Sequence, residues 1–216
     1  MIGSGLTRFS NDTFCAWDCE GEGLSLGFAR PWQVAWGLAT IKSGLDPASI
    51  KMRYIRWPDL RISPDTARIT RFDPVTYNRE ARPPCEVLGE FNADLYSPAH
   101  RGLFQNGLGY DVYVHANWMR ACGLKPDFSY LLRSVDTHAI LKARKKGWQP
   151  DISSPAAFLR WQYQAVGYIE KGLKTNLTEV GQEMGITHDY ATTHDAASDI
   201  ALMAKVWQKA VYEVEV

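Results

Sequence analysis

Residues 13–19, TFCAWDC, form an apolar run that closes on Asp18-Cys19-Glu20, and this run constrains the chain more than any other segment. Its aromatic and small apolar content reads as a strand. Alternation along a strand puts Asp18 and Glu20 on one face, with Cα atoms about 6.6 Å apart, and turns Cys15, Trp17 and Cys19 to the other. Like charges about 4 Å apart repel by about 4 kcal/mol at an effective dielectric near 20. That face therefore either ends in solvent, at the GEG turn that follows, or binds a cation.

The remaining elements follow from spacing. Residues 32–41 (WQVAWGLATI) and 51–57 (KMRYIRW) read as the second and third strands. Residues 58–84 are polar, proline-bearing and too irregular for one element. Val87, Leu88, Phe91 and Leu95 give residues 86–95 a helical face. A short strand is expected at 102–105, and the glycines around Asn106 separate it from a helix over 110–122 that stops at Gly123 with Pro126 beyond. A strand ends within 134–137, and helices are predicted at 137–146, 155–169, 177–184 and 194–211. Strands come first as a meander and then alternate with helices, so the fold class is α/β: a mixed β-sheet flanked by α-helices. With no linker, repeat or low-complexity run, residues 1–216 read as one domain.

Charge narrows the function classes. The chain has 24 Lys+Arg against 24 Asp+Glu, so whole-molecule attraction cannot hold a polyanion and any nucleic-acid contact must be local. No stretch approaches the roughly 18 apolar residues of a membrane span, and residues 1–11 lack the pattern of a secretory leader; a cytoplasmic protein with no membrane partner is expected. The triplets at Asn11 and Asn176 are then coincidental rather than glycosylated. Cys15, Cys19, Cys85 and Cys122 lack C-x-x-C spacing. Cys15 and Cys19, about 13 Å apart along a strand, are beyond disulfide reach, and all four are expected as buried, reduced thiols.

Further candidates for chemistry are Asp111 near a helix start, where an acid also complements the macrodipole, and HDAASD at residues 194–199. Ala196 and Ala197 let the last helix approach a sheet closely, so that Asp199 would face the strand carrying Asp18. Thr192, Thr193 and Asp195 equally suit a helix cap. His115, beside Trp118 and Met119, is expected to be packed rather than ligating.

Taken together, FCAWDCEGEGL, FQNGLGYD and HDAASD resemble the three motifs of the DEDDh family of 3′-to-5′ exonucleases, which includes proofreading subunits of bacterial replicative polymerases, ribonuclease T and oligoribonuclease. WQVAWGLA, ISPDTARITRFDP with PPCEVLGEF, and SVDTHAILKARKKG resemble the family's intervening elements, so the likeness runs from about residue 14 to 209. The resemblance implies an RNase H-like fold in which Asp18, Glu20, Asp111 and Asp199 bind two divalent cations, Mg²⁺ or Mn²⁺, and His194 is the general base. It places Gly21, Glu22, Leu24 and Asn106 at the substrate. Two departures stand out: Gly21-Glu22 replaces the usual Thr-Thr, and the interval from Asn106 to Asp111 is one residue longer than the commonest form.

The chemistry needs these residue types. Phosphodiester hydrolysis requires a nucleophile at neutral pH and relief of charge on the phosphoryl and leaving oxygens, which two metals about 3.5–4 Å apart supply. Hard carboxylate ligands suit Mg²⁺ or Mn²⁺, and a lack of Cys/His clustering argues against zinc. A histidine with an unperturbed pKa near 6.5 suits proton abstraction; His188 is the rival base. The tryptophans are expected mostly in the core, and the clusters Lys142-Arg144-Lys145-Lys146 and Arg79-Arg82 could contact phosphates. The expected substrate is a 3′ end of single-stranded DNA, cleaved to 5′-monophosphates. An exoribonuclease of the same fold and a non-catalytic nucleic-acid-binding module are the alternatives. Whether the chain acts alone, as a homodimer or beside a polymerase is open at this level.

Overall fold

The computed structural model describes residues 6–192 and 194–212. Strands β1 (Thr13–Gly21) and β2 (Pro31–Thr40) pair antiparallel, with Thr13 opposite Thr40 and Glu20 opposite Gln33. The outer edge of β2 carries two short strands, β3 (Gly44–Leu45) near one end and β4 (Lys51–Tyr54) near the other. On its inner side β1 pairs parallel with β5 (His100–Phe104), and β5 with β6 (Val135–Asp136). The result is the expected mixed sheet, ordered β3-β2-β1-β5-β6 with β4 beside β2. Eight helices are described: α1 (Pro64–Thr70), α2 (Pro74–Glu80), α3 (Pro84–Leu95), α4 (Asp111–Ala121), α5 (Thr137–Lys146), α6 (Pro155–Gly167), α7 (Leu177–Glu183) and α8 (Ala196–Tyr212).

Alternation along β1 sorts the core into two layers. Cys15, Trp17 and Cys19 face α3 and α4, against Val87, Phe91, Val112 and Trp118. Phe14 and Ala16 face α5, α6 and α8, against Ile140, Phe158, Ile200 and Trp207. On this second face Ala16, Ala35 and Ala39 meet Ala196 and Ala204, so the last helix lies close to the sheet for want of larger side chains. Six of the eight tryptophans (17, 32, 36, 57, 118 and 207) are buried. At about 25 cal/mol per Å² and roughly 150–250 Å² of buried surface, each contributes about 4–6 kcal/mol before entropy is counted, which accounts for their number without any role as base-stacking platforms.

Residues 58–84, too irregular for one element, hold two: Ser63-Pro64 and Asp73-Pro74 start two seven-residue helices, with the Ser63 and Asp73 side chains accepting the Thr66 N–H and the Val75 and Thr76 N–H groups. Two expectations need correction. The cysteines are not all free, because the start of α3 lies beside the end of α4 and brings Cys85 and Cys122 to a Cα separation of 5.4 Å, where they form a disulfide. Cys15 and Cys19 remain free and buried. The basic clusters are already engaged. Lys142 donates to the Val166 and Tyr168 carbonyls, Arg144 to that of Ala210, and Lys145, Lys146, Arg79 and Arg82 pair with Glu183, Glu170, Glu80 and Glu86.

The tertiary fold also places His115. His115 is buried among Trp17, Phe91, Trp118 and Tyr130 with Nε2 on Asn92 Oδ1 at 2.9 Å, and burial pushes its pKa down to about 3. It is packed, as its neighbours suggested. Among the described residues, no helix is long and apolar enough to cross a membrane.

Candidate active site

β1 is longer than its parallel partner. β5 pairs with it only as far as Ala16, so beyond that point one edge of β1 is open while β2 still lines the other. Asp111, at the first position of α4, fills the gap: its Oδ1 accepts the Cys19 N–H at 3.3 Å and lies 3.0 Å from the Cys19 thiol. Asp18 and Glu20 project from the opposite side of the same stretch, towards α8. The register shifts between Glu20 and Gly21, and such a bulge re-aims side chains at a strand end.

The second wall comes from α8. Asp195 caps this helix through its Oδ1 and the Ser198 N–H, Gln33 binds both Asp195 and the Ala196 N–H, and Asp199 falls in the first turn. His194 precedes the cap in the left-handed region, with φ 66°, and its N–H donates to Asp199 Oδ2 at 3.2 Å. Ligand atoms of Glu20, His194 and Asp199 lie within 4.8 Å of one another. Asp18 and Asp111 stand outside that tight trio but inside its field. His188 does not join: its Nε2 is 3.0 Å from Ser198 Oγ, which in turn bonds Thr192. Thr193, one of the expected capping residues, lies outside the described residues.

No Lys or Arg forms an ion pair with Asp18, Glu20, Asp111 or Asp199 among the described residues. Their titration reflects this isolation. Burial, followed by Asp111, Glu20, Asp199 and Asp195, holds Asp18 well above the carboxylate range. Burial and then Asp199, Asp111 and Asp195 raise Glu20 to about 9. Asp111 and Asp199 rise to about 6, mainly through burial; hydrogen bonds from Cys19 restrain the first, and the His194 charge and N–H, with Arg71 more weakly, restrain the second. Unpaired carboxylates converging in one buried place fit hard divalent cations. The histidine nitrogen beside two carboxylates is a donor set that zinc also accepts, so the fold brings together what linear spacing had kept apart.

The sheet order, the two helical layers and the acids at the end of β1 allow comparison with solved structures. The fold is similar to that of exonuclease I. One exonuclease I structure superposes with a TM-score of 0.71 at 16% identity, covering 92% of this chain and 40% of that one. E. coli exonuclease I in complex with a dT13 oligonucleotide gives 0.70 at 16%, covering 92% and 40%. The zinc-bound form of the E. coli exonuclease I complex with single-stranded DNA also gives 0.70 at 16%, covering 91% and 40%. The chain thus spans about two fifths of these relatives, and its RNase H-like fold is shared with them. No protein-family model and no curated protein sequence matches the chain.

The expected substrate residues are placed as follows. Glu22 is held in a two-point ion pair by Arg30, with Nε at 2.8 Å and Nη2 at 3.1 Å. Leu24 is 89% exposed in the β1–β2 loop. Asn106 lies in the left-handed region, φ 58°, and its carboxamide covers Gly109. At Gly21, a Cβ would stand 2.0 Å from the Tyr110 hydroxyl, which donates to Gly23 O at 2.7 Å. Tyr110 therefore occupies the space that a side chain after Glu20 would take.

Sequence reasoning missed several supports. Buried Asp136 accepts the N–H groups of Asn106, Leu108 and His138, and so fixes the turn that delivers Asp111; an acid directly before a helix start is its only sequence signal. Gln33, Tyr110 and Arg71 had none, because their roles depend on neighbours far along the chain.

Proposed function

We propose that this protein is a metal-dependent 3′-to-5′ exonuclease that hydrolyses phosphodiesters at the 3′ ends of single-stranded DNA and releases 5′-monophosphates. The observation that carries this reading is the convergence of Asp18, Glu20, Asp111 and Asp199, without cationic partners, next to His194 at the open end of β1. The similarity to exonuclease I structures that hold dT13 and dA16 oligonucleotides supports single-stranded DNA as the substrate class.

In this reading the four carboxylates hold two divalent cations, with Mg²⁺ or Mn²⁺ preferred because oxygens dominate the donor set. Bound there, the cations would make water a nucleophile at neutral pH and stabilise charge on the leaving 3′ oxygen. The residues of the chain do the rest. Exposed and held by its backbone bond to Asp199, His194 takes the proton from the attacking water and passes it to solvent. Asp111, locked by Cys19 on one side of the open edge, and Asp199, fixed in the first turn of α8 on the other, keep the acids apart and aligned.

The test is incubation of 5′-end-labelled DNA and RNA oligomers of matched sequence with Mg²⁺, Mn²⁺ or Zn²⁺ and with chelator. A ladder shortening from the 3′ end of DNA, metal-dependent and abolished in Asp18→Ala, is the expected result. Preferential shortening of RNA would reassign the substrate to exoribonuclease chemistry. Binding without any cleavage in all three metals would leave a nucleic-acid-binding module.

A further inference from the structure

A cavity of about 410 Å³ is lined by His194, Asp195 and Ser198 together with Gln33, Tyr54 and Arg71. Arg71 is the residue after α1, in the left-handed conformation with φ 54° and ψ 36°. Helices commonly hand that position to glycine, because a Cβ there is disfavoured. An arginine kept in such a place points from strain to use.

The surroundings hold Arg71 firmly and leave its head group free. The N–H of Arg71 and that of Phe72 both bond the Ala67 carbonyl, and the Phe72 ring lies 5.0 Å edge-on from Trp32. The turn is therefore anchored from below. Among the described residues no carboxylate is within ion-pair distance of the Arg71 guanidinium, and its side chain is exposed. The two acids lining the same cavity are occupied: Asp73 by the Val75 and Thr76 N–H groups, and Asp195 by Ser198 and Gln33. An unpaired guanidinium lining the same cavity as a general base suits a mobile anion more than a fixed one, and its planar fork matches phosphate oxygens.

We propose that Arg71 binds a backbone phosphate at the 3′ end of the substrate, making the cavity beside His194 the seat of the terminal nucleotide. This inference rests on the exonuclease reading of the acidic site. It would put a positive charge in the cavity that His194 also lines, beside four carboxylates that have no ion-paired Lys or Arg among the described residues.

Two variants separate charge from backbone strain. Arg71→Gly removes the charge and relieves the left-handed strain; Arg71→Gln removes the charge and keeps the strain. Binding of a dT oligomer with phosphorothioate 3′ linkages is measured across salt concentrations, alongside KM and kcat on the unmodified oligomer and thermal melting. Both variants are expected to weaken binding about tenfold, and to flatten the slope of log K against log salt by about 0.7, the value of one phosphate contact on a single strand. KM should move more than kcat, and Arg71→Gly should melt no lower than the wild type. Wild-type binding and slope in either variant would overturn the phosphate contact, since the effect would then follow the backbone and not the charge. A wild type that neither binds nor cleaves the oligomer would instead overturn the exonuclease reading, and the phosphate contact with it.

Discussion

Replacing Gly21 by alanine tests how tightly the end of β1 is built against α4. The new Cβ would stand 2.0 Å from the Tyr110 hydroxyl and 3.2 Å from Cζ. The hydroxyl must leave, breaking its 2.7 Å bond to Gly23 O, and Tyr110 directly precedes Asp111. Overpacking of this kind costs about 1–3 kcal/mol, which for a chain of this size lowers Tm by roughly 2–12 °C. Displacing the acid beside it by about 1 Å would reduce cleavage roughly a hundredfold. Tyr110→Phe alone loses one hydrogen bond, about 1 kcal/mol. Combined with Gly21→Ala it removes the atom in the way, leaving a 3.2 Å approach that a small shift relieves. Melting and single-stranded DNA cleavage should therefore show a double variant as stable as Tyr110→Phe and more active than Gly21→Ala, with a coupling of about 1–2 kcal/mol. Strictly additive losses would refute the steric account of Gly21.

The acidic site also predicts a pH dependence of stability. Its carboxylates titrate higher when folded than when unfolded, so without metal the folded state binds more protons and stability falls as pH rises from about 4 through 6, where Asp111 and Asp199 ionise, towards 9, where Glu20 does. Mg²⁺ should therefore raise Tm by an increment that grows over this window; an increment independent of pH would count against a shared cation site. Glu20→Gln puts a neutral amide where the folded, metal-free protein must otherwise take up a proton at neutral pH, and should stabilise that state by about 1–2 kcal/mol while lowering cleavage at least a hundredfold, as read by calorimetry and oligomer assay. His194→Ala should slow hydrolysis by roughly 10²–10⁴ with Mg²⁺ binding retained by calorimetry, whereas His188→Ala, acting on a residue tied to Ser198, should leave the rate within about threefold.

Much of this was legible in the chain. Period-two alternation in TFCAWDCE placed Asp18 and Glu20 on one face and Trp17 on the other, because strand geometry makes that pattern local. The helix over residues 137–146 emerged with its boundaries intact, since Asp136 caps its start and Gly147 ends it. The disulfide was not legible, because Cys85 and Cys122 meet only after two helices have packed. Arg71 was hidden for another reason: a left-handed residue is announced by glycine in sequence and passes unnoticed when it is arginine. The basic run at Lys142 looked like a phosphate contact because charge is visible and its partners, the Val166 and Tyr168 carbonyls, are not.

The acids of the site arrive in instalments along the chain, two on β1, one at the start of α4, and the last on α8. A nascent polypeptide that has emerged only through α4 already displays Asp18, Glu20 and Asp111, yet it cannot close the pocket until α8 docks against the alanine-lined face of the sheet. On the proposed reading no cleavage can begin before this last helix is in place, so a growing chain would stay inert until nearly all of the described residues had left the exit tunnel.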